Sequence, residues 1–205
     1  MISGGDGNDT ISAGSGLDVV DGNGYKDHQE LGPLATGTGT QELDEASGLV
    51  IGRTHPGVLW TIEDSKGGGT PSQNERLYAN NKTNGADLGY FTLDVPDNHD
   101  WEDLAYFDDN GTDWIYIGDI GDNDIGDNVQ TIYRVEEPTS EPTSSGNHGT
   151  IAAADIDRIM IDYPMDKPDA EAMMVDPDTG DIYIVTKRED QRDVAHLYKI
   201  DASSE

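Results

Sequence analysis

The sequence predicts an all-β protein in two parts. A short parallel β-roll occupies residues 1–27, a linker covers 28–43, and partial β-propeller blades of four-stranded antiparallel sheets fill 44–205. Three observations carry this. A nine-residue glycine and aspartate unit repeats in phase near the start. Short apolar strands bounded by turn signals then recur at long, regular intervals. No stretch shows a convincing helical pattern of apolar residues.

The first unit is Gly4-Gly5-Asp6-Gly7-Asn8-Asp9-Thr10-Ile11-Ser12, which fits G-G-x-G-x-D-x-U-x with U a large apolar residue. Ala13-Gly14-Ser15-Gly16-Leu17-Asp18-Val19-Val20-Asp21 is a second copy with Ala for the first Gly. Glycines permit the left-handed backbone of a tight turn. Asp6, Asp9 and Asp18, with carbonyls of Gly5, Gly7, Gly14 and Gly16, are the candidate oxygen ligands for ions between stacked turns. Ile2, Ile11 and Val20 fall nine apart and are expected to face inward. The chain begins inside a repeat, so an upstream array is expected. The alternative is a flexible Gly/Asp linker, which explains an in-phase repeat less well. The array degrades after Gly22-Asn23-Gly24, and 28–43 is rich in Gly and Thr.

From Asp44 a longer repeat takes over. Ser47-Gly48-Leu49, Glu102-Asp103-Leu104 and Glu171-Ala172-Met173 occupy equivalent places. Thirteen residues after each first member come Trp60, Ile115 and Ile184, inside VLWTI, WIYIG and IYIVT. The first offset is 55 residues and the next 69, the difference absorbed by a loop around Glu136–Gly149. The clearest hairpin lies in 100–128. There Leu104–Phe107 and Trp114–Ile117 flank Asn110-Gly111, and the second strand empties into Asp119, Asp122, Asp124 and Asp127. Blade one is expected at about 45–95, blade two at about 100–163, and blade three from Asp169 to its third strand at Ile200. Closed propellers have roughly 4–8 blades. The remainder of the propeller or another protein chain is therefore the expected partner.

Composition narrows the function. Asp and Glu number 42 against 12 Lys and Arg, a formal net charge of −30. That excludes nucleic acid as a partner, because phosphate binding needs a basic footprint. Either clustered acids hold cations, with Ca²⁺ the natural choice for oxygen ligands, or the acidity serves solubility. Cysteine is absent, which rules out disulfides and thiol chemistry. No apolar run approaches the ~20 residues of a membrane helix, and no membrane insertion is expected. The start of the chain lacks the basic and apolar regions of a signal peptide.

SGLVIGRTHPGVLWTIEDS, DWEDLAYF…WIYIGDIGDN and DAEAMMVDPDTGDIYIVTKR together resemble a bacterial family of extracellular β-propellers, loosely related to phytase-like and esterase-like propellers. The nonapeptides resemble the RTX calcium repeats of type I-secreted toxins, hydrolases and giant adhesins. The two resemblances imply a secreted or cell-surface protein that folds on meeting external calcium. They favour an adhesin- or filament-like binding or structural module. The alternative is a calcium-dependent hydrolase of phosphate or carboxylic esters.

Several acids are candidates for that chemistry. Glu102 and Glu171 begin the first strand of their blades, where side chains would converge on a propeller's channel. They are candidate Ca²⁺ ligands, or a general base if one pKa is raised; the alternative is repeat-specific packing. Asp119 and Asp122, after a second strand, are further candidate ligands, and Asp119 is a third catalytic candidate. Asp64 and Asp119 each lie four residues past an aligned strand residue, Arg188 taking that place in blade three. With Lys187, this asymmetry would suit an anionic ligand bridged by Ca²⁺, or else a solvated acidic loop. Asp176, Asp178 and Asp181, and Asp108, Asp109 and Asp113, read better as turns. The five histidines have no metal-ligand spacing, and no G-x-S-x-G elbow occurs. Trp60, Trp101 and Trp114 are expected to pack blades.

Overall fold

The computed structural model describes residues 43, 45–64, 75–95, 99–121, 130–163, 168–187 and 194–202. The nonapeptide residues Gly5, Asp6, Gly7, Asp9, Gly14, Gly16 and Asp18, the linker to residue 42, and Asp122 and Arg188 lie outside them. The described residues are nearly all strand, in three mostly antiparallel sheets. Among them there is no α-helix, only a 3₁₀ turn at Ala153–Asp155.

The first sheet is a meander of β1 (Ala46–Ile51), β2 (Val58–Glu63), β3 (Arg76–Asn81) and β4 (Asp87–Leu93). The second is built from β5 (Trp101–Asp109), β6 (Thr112–Asp119) and β7 (Thr131–Glu136). Before completing it, the chain crosses back and lays β8 (Asn147–Ile151) parallel to β4 of the first sheet. It then returns as β9 (Ile156–Met160), antiparallel to β7. The third sheet contains β10 (Ala170–Val175), β11 (Ile182–Thr186) and β12 (Leu197–Ile200). The first three strands of each sheet fall where the sequence repeats its strands, but the first sheet takes its fifth strand, β8, from within the span 100–163. The segment expected to be only a loop, 136–149, instead begins the strand that clasps two sheets together.

The second sheet is apolar on both faces, which makes it the middle layer. Along β6, Ile115 and Ile117 are buried with Trp60, Ile62 and Leu77 of the first sheet. Tyr116, between them, is buried with Met173 and Ile184 of the third. This is the period-two alternation of a strand covered on both sides. The β5–β6 hairpin turns at Asn110 and Gly111, with φ of 55° and 90°. Both central residues are left-handed, the geometry for which Asn-Gly is selected. Gly48 is also left-handed, and a Cβ there would lie 2.5 Å from the backbone nitrogen of Leu104. Only glycine lets β1 approach β5 so closely.

The first strand of each sheet carries an irregularity near its start. Pairing shifts between Ser47 and Leu49, between Trp101 and Asp103, and between Ala170 and Ala172. Beyond it, Val50 pairs with Trp60, Leu104 with Ile117 and Met173 with Ile184. Trp60, Ile117 and Ile184 are therefore the equivalent core residues. Counting thirteen from Glu102 reaches Ile115, two residues short, because the β5–β6 hairpin is longer than the other two.

A buried carboxylate fastens the first two sheets. Glu137 is 1% exposed. It accepts hydrogen bonds from the backbone N–H groups of Arg53 (2.9 Å) and Thr54 (3.0 Å), from Trp60 Nε1 (3.0 Å) and from the Tyr106 hydroxyl (3.2 Å). Of the tryptophans, Trp60 and Trp101 are fully buried in the same core, whereas Trp114 is half-buried under Arg134. The outer faces are unlike this interior. Leu49 and Ile51 are exposed on the first sheet, and Met174, Val185 and Leu197 on the third.

Candidate functional site

Acidic side chains gather at one end of the three hairpins. The same backbone bond closes each hairpin there. Asp64 N–H donates to Glu45 C=O (2.9 Å), Gly121 to Asp100 (3.2 Å) and Lys187 to Asp169 (2.8 Å). Every acceptor residue is acidic. The donors run Asp, Gly, Lys across the sheets. Alignment by strand count places Asp119 and Arg188 opposite Asp64; the closing bonds place Gly121 and Lys187 there instead.

The central residues belong to a short motif that occurs twice, Asp100-Trp101-Glu102 and Asp169-Ala170-Glu171. Trp101 and Ala170 are fully buried in the two cores. Alternation along a strand then sends the flanking acids away from those cores. One carboxylate oxygen each from Asp64, Asp100 and Glu102 lie within 4.8 Å of one another. The same holds for Glu102, Asp169 and Glu171. The two groups share Glu102, so five acids from three sheets form one continuous patch. The β1 and β10 strands both pack on β5, which brings the patch together.

Glu102 is the centre. It is 6% exposed, and its Oε1 has no hydrogen-bond partner among the described residues. Gly121 faces it, and a Cβ at that position would lie 2.6 Å from this oxygen. Burial, followed by the charges of Asp64, Glu171 and Asp100, pushes the Glu102 carboxyl up to about 8. Burial and a hydrogen bond with Asp100 push Asp64 to about 6. A buried carboxylate surrounded by like charges is costly unless a cation joins it.

The outer half of the patch already contains a cation. Lys187 Nζ lies 3.0 Å from Asp169 Oδ2 and also contacts Glu171 Oε1. Burial works against its charge, but hydrogen bonds with Glu171 and Asp169 hold its pKa above the ordinary lysine value. Glu171 is the most open of the acids, at 41% exposed.

The remaining sequence candidates are placed as follows. Asp119 is buried beside the patch but outside both groups. Its Oδ1 accepts the Asp100 N–H (2.9 Å), and Oδ2 faces His99 Nδ1 at 3.4 Å. Burial raises its pKa against those contacts. Asp119 thus anchors the entry to β5. Asp108 accepts from Gly111 N–H, and Asp176 from Asp178 N–H, as turn residues do. Asp181 pairs with Lys199. Asp100 and Asp169 were not among the sequence candidates. The repeated Asp-x-Glu at the start of a first strand is the signal that finds them.

The donor set suits a hard cation: carboxylate oxygens only, one of them buried with no hydrogen-bond partner among the described residues, and a glycine at 121 that lets the carboxylates close in. No family model and no curated protein matches this chain. Among the described residues, no helix is long and apolar enough to cross a membrane.

Proposed function

We propose that this chain is a calcium-binding segment of a secreted or cell-surface protein of the RTX type, serving as a binding or structural module. The three sheets are read as neighbouring blades of a β-propeller, following the calcium β-roll of residues 1–27. One observation carries the cation reading: the convergence of Asp64, Asp100, Glu102, Asp169 and Glu171 around a buried Glu102 oxygen that has no hydrogen-bond partner among the described residues. Calcium is preferred because it accepts many oxygen ligands in irregular arrangements, whereas Mg²⁺ demands near-ideal octahedral geometry. Exposed apolar side chains on both outer faces support further blades or a partner chain as the cover.

The test is calorimetric and thermal titration of the full chain with Ca²⁺ and with Mg²⁺, for the wild type and Glu102→Gln. Calcium should bind and raise the unfolding temperature, Mg²⁺ should do so far less, and the substitution should remove part of the gain. Identical titrations for the two proteins would overturn the assignment of the patch.

A second reading is favoured by Lys187 beside the acids. Carboxylates, a basic group and a carboxyl titrating at about 8 are what a calcium-dependent hydrolase of phosphate or carboxylic esters would use. Turnover of simple phosphate or carboxylic esters by the calcium-loaded chain, lost in Glu102→Gln, would establish it. In that case Glu102, Glu171 and Asp119 would be the residues to dissect.

A further inference from the structure

Lys187 divides the acidic patch by sheet. Lys187, Asp169 and Glu171 all belong to the third sheet, at the facing ends of β10 and β11. Asp64 follows β2 of the first sheet, and Asp100 and Glu102 open the second. The inner triad therefore spans the junction between the first and second sheets. The outer acids lie at the junction between the second and third. At the position that closes each hairpin, the first sheet supplies a carboxylate and the third an ammonium.

We propose that Lys187 is a tethered counter-ion that takes the place of a metal at the outer junction. The patch then binds a single divalent cation, at Asp64, Asp100 and Glu102. This rests on the cation assignment above and adds which half is filled from outside and why. An ammonium carries one charge and offers only N–H donors, so it is content with two carboxylates. A divalent ion needs more oxygens and more negative charge. The inner triad supplies these, together with a buried Glu102 oxygen that has no hydrogen-bond partner among the described residues; Gly121, having no side chain, lets the Asp100 and Glu102 carboxylates crowd against its backbone. In this arrangement a metal ion joins sheets one and two, and a lysine holds the corresponding end of sheet three without one. Removing the ammonium leaves Glu102, Asp169 and Glu171 as a second cation site sharing the central ligand.

The experiment is calcium calorimetry on full-length wild type, Lys187→Met, Lys187→Arg, Glu102→Gln and the Lys187→Met/Glu102→Gln double variant. Comparing variants cancels ions held elsewhere in the chain. Lys187→Met should bind one more Ca²⁺ per chain than the wild type. Lys187→Arg should bind the wild-type number. Glu102→Gln should weaken the inner site by roughly tenfold or more, and in the double variant the added site should vanish as well. If Lys187→Met adds no ion while Glu102→Gln still weakens binding, the tethered counter-ion is wrong and the cation site stands. If Glu102→Gln changes nothing, the cation site itself falls.

A measurement on the wild type decides the matter even if Lys187→Met does not fold. Reductive methylation of Lys187, followed by mass spectrometry, should be slow and unchanged by Ca²⁺. Acceleration on adding calcium would mean that the metal takes the outer acids and releases the lysine, which overturns the proposal.

Discussion

Neutralising Glu102 should stabilise the ion-free chain, although substitutions at buried positions usually destabilise. Its carboxyl rises from an ordinary 4.5 to about 8 in the fold. A group whose pKa is raised by folding supports stability below its unfolded value and loses that support as pH climbs through the folded value. The ion-free wild type should thus weaken from about pH 4.5 to about pH 8. Asp64, raised from 3.8 to about 6, adds to the lower part of that window. At about 1.4 kcal/mol per pH unit, the Glu102 rise alone corresponds to roughly 5 kcal/mol. Glutamine recovers only part of it, because it leaves a buried amide whose unmet hydrogen bonds cost about 1–3 kcal/mol. A net gain of about 2–3 kcal/mol at pH 8.5 would raise the unfolding temperature by roughly 5–10 °C in a chain of this size. The assay is thermal unfolding by circular dichroism in excess chelator at pH 5 and pH 8.5, then with added Ca²⁺. Glu102→Gln should be more stable than the wild type at pH 8.5, somewhat less stable at pH 5, where the glutamate is still mostly protonated and only the amide's cost remains, and less responsive to calcium. Destabilisation at pH 8.5 without calcium, or an equal difference at both pH values, would refute the electrostatic argument.

Other predictions test other links. Gly121→Ala keeps every carboxylate, yet its new Cβ must displace the Glu102 oxygen; calcium affinity should fall roughly tenfold or more in calorimetry. Glu137→Ala strands several buried donors at the clasp between the first two sheets; a loss of about 3 kcal/mol or more is expected in urea unfolding. Substituting Asp6, Asp9 and Asp18 together by Asn should remove a calcium-dependent gain in strand signal in far-UV dichroism. The Glu102-dependent rise in unfolding temperature should remain.

Much of the strand framework was legible in the chain because its signals are local. Asn110-Gly111 can only be read as a tight hairpin, and the alternation of Ile115, Tyr116 and Ile117 announces a strand. The repeat also marked Glu102 and Glu171. The partners of Glu102 were harder to see. Strand counting aligned Asp64 with Asp119, because the extra residues in the β5–β6 hairpin leave no mark on composition. The register shows that Gly121 and Lys187 stand opposite Asp64. Local pattern likewise treats 136–149 as an insertion, since β8 pairs with a strand far back in the chain, Tyr90 with Asn147 and Leu93 with Ile151.

The sequence by itself determined the all-β character, the turns, the places where each first strand begins, and the strong acidity. All of these follow from backbone preference and side-chain period over a few residues. Only the tertiary structure decided that Asp100 and Asp169 join Glu102, that Asp119 turns aside to His99, and that Lys187 neutralises one half of the patch. Those outcomes depend on sheet packing, which brings ends of strands far apart in sequence within a few ångströms. At that distance in a buried setting, the charges of neighbouring sheets govern one another, and no local pattern encodes the result.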